Sequence, residues 1–344
     1  MNVIHAGIFA DHELGGDVVF RAGFDALSLK YRSFDYRARA TEVGQQEMNS
    51  ELVSLAKNAD LLFIGKGELI WPETLARISR DGTSVALWYG DVREQPEPWL
   101  VELLPHCDAY FSTSGGRRFE EVVSCGSPGN ACFFFNPCNL ALMKTWSART
   151  RSPTGRPLMT ASRYGFAGEE RQAVFRYIDR SPQIDLVGSC RRRFANPLLQ
   201  RIAKRFDRPR RLRGSDYIAA IRNCCVGIAV SAFQDEYLYC SDRVTHYLQF
   251  GAALIHWRFP GCERLLADRE ETVFVESIEE LEREISILCD DSERASNIGR
   301  RAAARVARDY SVPLTLRRML DFLDGNFSST PDWYPRFVRQ TSKA

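Results

Sequence analysis

The sequence predicts an α/β protein built from two doubly wound, Rossmann-like domains. Three observations carry that expectation. Short apolar runs with strand character recur along the chain. Helical patterns separate them. The rhythm breaks once, between Asn136 and Pro157, where Pro137, Pro153, Gly155 and Pro157 gather. Strands alternating with helices imply parallel sheets covered on both faces. The length of 344 residues suits two such domains. Hydrophobic content of 44 % and charged content of 26 % are those of a globular protein with material for two cores.

The elements follow in order. Asn2–Phe9 reads as a strand, Val18–Leu29 as a helix, Tyr31–Arg37 as a strand and Glu47–Lys57 as a helix. Asp60–Gly65 and Ser84–Tyr89 are continuous apolar runs, as expected of strands buried on both faces. Pro72–Arg80 lies between them as a helix with proline in its first turn. Pro98–Leu104, Ala109–Thr113, Arg118–Ser124 and Ala131–Phe135 continue the alternation. Past the break, Leu158–Ala161, Gln183–Gly188, Cys225–Ser231, Ala252–Ile255 and Thr272–Val275 read as strands. Glu169–Ile178, Asn196–Phe206, Ser215–Asn223, Ser241–Gly251, Ile278–Leu288, Ser292–Asp309 and Pro313–Leu323 read as helices. The domains are therefore expected at residues 1–150 and 151–325, with a tail, 326–344, packing back on the first. No sequence repeat relates the halves.

Net charge is only +2, so the chain as a whole is not a strongly basic nucleic-acid binder, and any charged partner must be met locally. Ten cysteines are present, without CxxC spacing or a zinc-like Cys/His cluster. The first residues lack a signal-peptide pattern, and no run approaches the roughly 18 apolar residues of a membrane span. The expectation is a cytoplasmic protein with reduced thiols.

The candidate binding residues cluster in the second half. Ser241 is placed to cap a helix and Asp242 to sit at its positive end. Val244, Tyr247 and Leu248 share one face, and Gly251 stands where a left-handed cap is expected. Such a helix start beside a strand end is suited to a phosphate; the alternative is an ordinary helix–strand pair. Gly188 follows a strand and leads into Arg191 and Arg192, again where an α/β domain receives a phosphate. Glu263 follows the strand ending near Trp257 and is placed to accept bonds from sugar hydroxyls. Arg201–Arg213 carries seven Lys or Arg against one Asp. It reads either as a solvated face or as a contact to a polyanion such as DNA.

In the first half, His12, Asp17 and Asp91 fall at the carboxyl ends of expected strands. A transferase that inverts configuration needs a base to take a hydroxyl proton, and these three are the candidates, Asp17 before Asp91 before His12. Two domains joined by one linker leave a cleft for two ligands, which fits a two-substrate transferase or a two-lobed binding protein.

The segments Asp185–Ser189, Ser241–Ile255, Phe259–Leu266, Thr272–Leu281 and Asp291–Val306 together resemble the nucleotide-sugar domain of GT-B glycosyltransferases. More narrowly, they resemble the CgeB-like, spore-maturation-protein family. Asp60–Gly67 and Ala86–Asp91 resemble it more loosely. The resemblance implies a GT-B fold and transfer of a sugar from a nucleotide-diphosphate donor, with uridine diphosphate the expected carrier, to an acceptor hydroxyl. It implies no cofactor and, with only an isolated Asp91 and no DxD motif, no metal. The family outline R-x-x-E-x-x-x-x-G is met by Arg243 and Gly251, while His246 stands where the glutamate for the ribose hydroxyls belongs. Arg243 suits a diphosphate, since a guanidinium matches phosphate oxygens. Related phage enzymes glycosylate hydroxymethylated bases, so a DNA acceptor stays open, as does a non-catalytic nucleotide- or sugar-binding protein.

Overall fold

The structure is a computed structural model; it describes residues 1–9, 13–147, 153, 155–163, 167–189 and 211–339. The chain divides into two compact units, Met1–Asn139 with Tyr310–Ala344, and Leu140–Asp309.

The sheet of the first unit contains β1 (Asn2–Gly7), β2 (Lys30–Asp35), β3 (Leu61–Gly65), β4 (Ser84–Tyr89), β5 (Ala109–Ser112), β6 (Asn130–Phe133) and β12 (Arg336–Val338). Their spatial order is β12-β6-β5-β4-β3-β1-β2. All pairs are parallel except β12, which runs antiparallel to β6 with Phe337 opposite Ala131. One core face holds Ile4, Leu62, Ile64, Leu87 and Tyr110. The apolar runs read as strands are the buried strands for that reason.

Two readings change here. The strand expected over Tyr31–Arg37 stops at Asp35, whose carboxylate accepts the Ala38 N–H and caps a helix at Tyr36–Val43. The helix Val312–Leu323, expected in the second domain, packs on the first. Its Val312 and Leu316 face Gly23 of the helix Gly16–Ala26, where a Cβ would come within 2.8 Å of Val312. Phe322 meets Phe111 of β5. Conversely, the helix Leu140–Ser147 belongs to the second unit, where Trp146 packs near Phe250.

The second unit has β7 (Leu158–Thr160), β8 (Asp185–Val187), β9 (Gly227–Ala229), β10 (Leu254–Trp257) and β11 (Val273–Val275), ordered β11-β10-β9-β7-β8 and wholly parallel. In chain order both sheets begin second-first-third-fourth-fifth, and the first adds β6 and β12 beyond. The halves thus repeat a topology that their sequences do not repeat. The order reverses between β1 and β3 in one unit and between β7 and β9 in the other, and open sheets take ligands at the carboxyl ends flanking such a switch. The expected helix Asn196–Phe206 lies outside the described residues.

The expectation of wholly reduced thiols is not met. Cys225, just before β9, is joined to Cys289 in the helix Ile278–Asp290. Among the described residues no helix is long and apolar enough to cross a membrane.

Candidate functional site

Each switch point is closed by a buried charge from the helix that follows the first strand of its sheet. In the first unit that residue is Asp17. Oδ2 accepts the Ile8 N–H at 2.7 Å, and Oδ1 lies 3.2 Å from His5 Nε2. A Cβ on Gly7 would stand 2.5 Å from its Cγ, and one on Gly65 only 1.7 Å from Oδ1. The carboxylate therefore fills the gap between the ends of β1 and β3, with 8 % of the residue exposed. It does not cap its helix, whose cap residue is Gly15. With one oxygen on a backbone N–H and the other on a buried imidazole, Asp17 is built in as a clamp. That does not suit the role of a base reached by substrate.

Asp91 has a different setting. It follows β4, keeps 48 % of its side chain exposed, and is held by Lys66 Nζ at 2.9 Å and Arg93 at 3.6 Å. Lys66 itself sits at φ +74, directly before Gly67 at φ +102. A lysine there is an unusual conformer of the kind that gathers at binding sites. Next to it, the buried Tyr36 hydroxyl accepts the Gly67 N–H and donates to Glu68. Burial pushes that phenol well above its ordinary value. His12 lies outside the described residues.

In the second unit the clamp is Arg171, in the helix Glu169–Arg180. Its guanidinium donates to the carbonyls of Val230 and of Ser162, the latter at 2.7 Å. It thereby ties together the ends of β9 and β7, with only 2 % of the residue exposed.

The helix Asp242–Gln249 forms for the reasons read from its sequence. Val244, Tyr247 and Leu248 are buried, and the chain leaves through Gly251 at φ +72. Gly299 lets the helix Ser292–Asp309 meet the Gly251 carbonyl, which would stand 2.0 Å from a Cβ there. Ser241 occupies the cap position with extended backbone, but its hydroxyl makes no capping bond. Asp242 is exposed and Arg243 half-buried in the first turn. His246 Nδ1 lies 3.3 Å from the Tyr217 hydroxyl, which lies 3.3 Å from Thr160 Oγ1 at the end of β7. Burial pushes the Tyr217 phenol up to about 12, so it stays protonated and able to donate.

Gly188 meets the same strand end. At φ +93, it would carry a Cβ 3.0 Å from the Ala161 carbonyl, which also accepts the Ser189 hydroxyl at 2.8 Å. The Gly188 turn and the Ser241 helix, 53 residues apart by subtraction, thus converge on Thr160–Ala161.

Tyr247 does not belong with them. It is fully buried, its hydroxyl donates to Leu158 O and accepts Thr160 N–H, and its ring lies where a Cβ on Gly227 would be. It supports β7 from inside. Glu263 is exposed on the short helix Cys262–Leu265, and the contacts described for it lead to the Cys262 thiol. Arg191, Arg192 and most of the basic run Arg201–Arg213 lie outside the described residues. Tyr217, Thr160, Arg171, His5 and Lys66 were not singled out from the sequence. A buried arginine one turn into a helix is indistinguishable there from a surface one.

Residues 171–321 match the model of a family described as glycosyl transferase-like. The segment holds Arg171, Gly188, Tyr217, Arg243 and His246. Anabaena HepE, solved in complex with UDP-glucose, is similar in structure with a TM-score of 0.59 at 10% identity, over 94% of this chain and 100% of that one. Sucrose-phosphate synthase from Thermosynechococcus elongatus gives 0.59 at 12%, over 96% and 100%. A glycosyltransferase from Rickettsia africae gives 0.54 at 10%, over 94% and 98%. No curated protein matches the chain in sequence. The fold is that of GT-B glycosyltransferases, with two Rossmann-like units.

Proposed function

We propose that the protein is a glycosyltransferase that moves a sugar from a nucleotide-diphosphate donor to an acceptor hydroxyl. The donor binds the second unit and the acceptor the first. The observation that carries this reading is the approach to the end of β7 of the Gly188 turn and, through His246 and Tyr217, of the helix whose first turn bears Arg243, both of them within the family-matched segment. Backbone N–H groups at a helix start and a guanidinium in its first turn both favour a diphosphate. They stabilise it most as charge develops on the departing group. HepE, of the same fold, is named with UDP-glucose, which makes uridine diphosphate the first carrier to test.

His246 replaces a carboxylate in the donor site. Its ring is oriented by Tyr217, and an imidazole can donate to or accept from a ribose hydroxyl. In the first unit Asp91 takes precedence over Asp17 as the base, because it is exposed where Asp17 is enclosed.

Calorimetric titration with UDP, GDP and ADP and their glucose conjugates tests the donor half. Micromolar binding of one diphosphate, with sugar release or transfer seen by mass spectrometry, is the expected result. No heat and no thermal shift from the whole panel would refute it, since a ligand of the folded state must stabilise it.

A further inference from the structure

A polar recess lies in the first unit between the carboxyl ends of β4 and β5. Its volume, about 20 Å³, has room for one water molecule or one hydroxyl group. Tyr89, the last residue of β4, lines it with 4 % exposure, and the phenolic oxygen has no hydrogen-bond partner among the described residues. Arg93 lies beside the phenol and opposes part of the effect of burial. Burial holds this phenol protonated, so it is a donor and an acceptor without an internal partner. One carboxylate oxygen of Glu121 is likewise buried there without a hydrogen bond, its other oxygen being taken by Arg117 at 2.9 Å.

Charge decides what enters. Asp91, Glu97 and Glu121 line the recess with Arg93 and Arg118, the last 8 % exposed. An anion would meet three carboxylates and a cation two guanidiniums, each at a desolvation cost. A neutral group that both donates and accepts meets neither penalty. Apolar walls from Tyr110 and Phe119 suit C–H faces beside it. Neutral hydroxyls alternating with C–H faces are the chemistry of a saccharide.

The geometry points to this recess as the subsite that seats one hydroxyl of a saccharide acceptor, with Tyr89 and Glu121 as specificity-determining contacts. The inference rests on the reading of the first unit as the acceptor half. It also brings the acceptor to Asp91, which lines the same recess.

The test is saturation-transfer NMR on the full chain with methyl α-D-glucopyranoside, methyl β-D-galactopyranoside and myo-inositol as probes, with UDP titrated into the same samples. At least one glycoside should receive saturation, and its signal should fall at least fivefold in Tyr89→Phe and in Glu121→Gln, with UDP affinity within twofold of the parent. Tyr89→Phe should fold normally, because the hydroxyl it removes makes no well-formed hydrogen bond among the described residues; Glu121→Gln serves if it does not. UDP binding with no signal from any of the three probes overturns the inference. So does a saccharide signal unchanged in both variants, or competition by inorganic phosphate and not by glycosides. A Tyr89-dependent saccharide signal in a protein that ignores every nucleotide would sustain the subsite and sink the donor reading instead.

Discussion

The two switch points solve one problem with opposite charges. Where a parallel sheet reverses its order, the neighbouring strand ends leave backbone groups that no third strand satisfies, and buried groups of that kind are costly. In the first unit the orphan is a donor, the Ile8 N–H, and a carboxylate meets it. In the second the orphans are acceptors, the Ser162 and Val230 carbonyls, and a guanidinium meets them. The closing residue lies in the first turn of the helix after the first strand in both cases. Equal topology therefore fixes where a charged side chain is needed, and the local peptide orientation fixes its sign. Charges used this way are scaffold. Neither clamp is among the contacts proposed for the ligands, Asp91 and Arg243.

The largest expected effect breaks the second clamp. Arg171→Met keeps the apolar stem but leaves two carbonyls without their donor, and should cost about 4 kcal/mol, at roughly 2 kcal/mol for each charge-assisted bond. Urea denaturation measures it, and a loss under 1 kcal/mol would mean that the clamp is dispensable. Gly65→Ala strikes the first clamp from its other side. A methyl there must displace the Asp17 carboxylate, at about 2–3 kcal/mol by overpacking. If Gly65→Ala proved neutral, Asp17 would have room to move, and its claim to be a base would revive.

A smaller effect depends on pH. His256 in β10 is buried, with Nδ1 on the Trp257 carbonyl at 2.5 Å and Nε2 without a hydrogen-bond partner among the described residues. Burial lowers its pKa to about 4, despite the carbonyl, with Arg171 adding to the shift. The unfolded chain then binds the proton more tightly than the folded one. The stability this gives is complete above about pH 6.5 and is lost as pH falls from there toward 4. Relative to pH 7, His256 should remove about 2 kcal/mol at pH 5, and His256→Gln should flatten that slope. Parallel pH profiles of the two proteins would contradict the assignment.

Much of the fold was legible because buried parallel strands run apolar. Asp60–Gly65 and Ser84–Tyr89 needed no partner to be recognised, and β3 and β4 fall on them. The helix start at Ser241 was legible too, since its cap, apolar face and closing glycine are local. What could not be read is whatever depends on non-local approach. Gly7 and Gly65 are 58 residues apart by subtraction, and only their meeting makes Asp17 a clamp. Tyr247 sits on the same helix as Arg243, yet its face is turned to β7, so helix membership alone overstated the binding set. Val312–Leu323 has the amphipathic pattern of either unit, and the small face at Gly23 decides where it packs. Cys225 and Cys289 stand 64 residues apart, and no spacing rule joins them.

The central claim is that the diphosphate of a sugar nucleotide lies at the start of the helix Asp242–Gln249. Calorimetric titration of UDP into the protein and into Arg243→Ala tests it most directly. UDP binding is expected to weaken at least tenfold, about 1.4 kcal/mol. Equal affinity in the two proteins would contradict it.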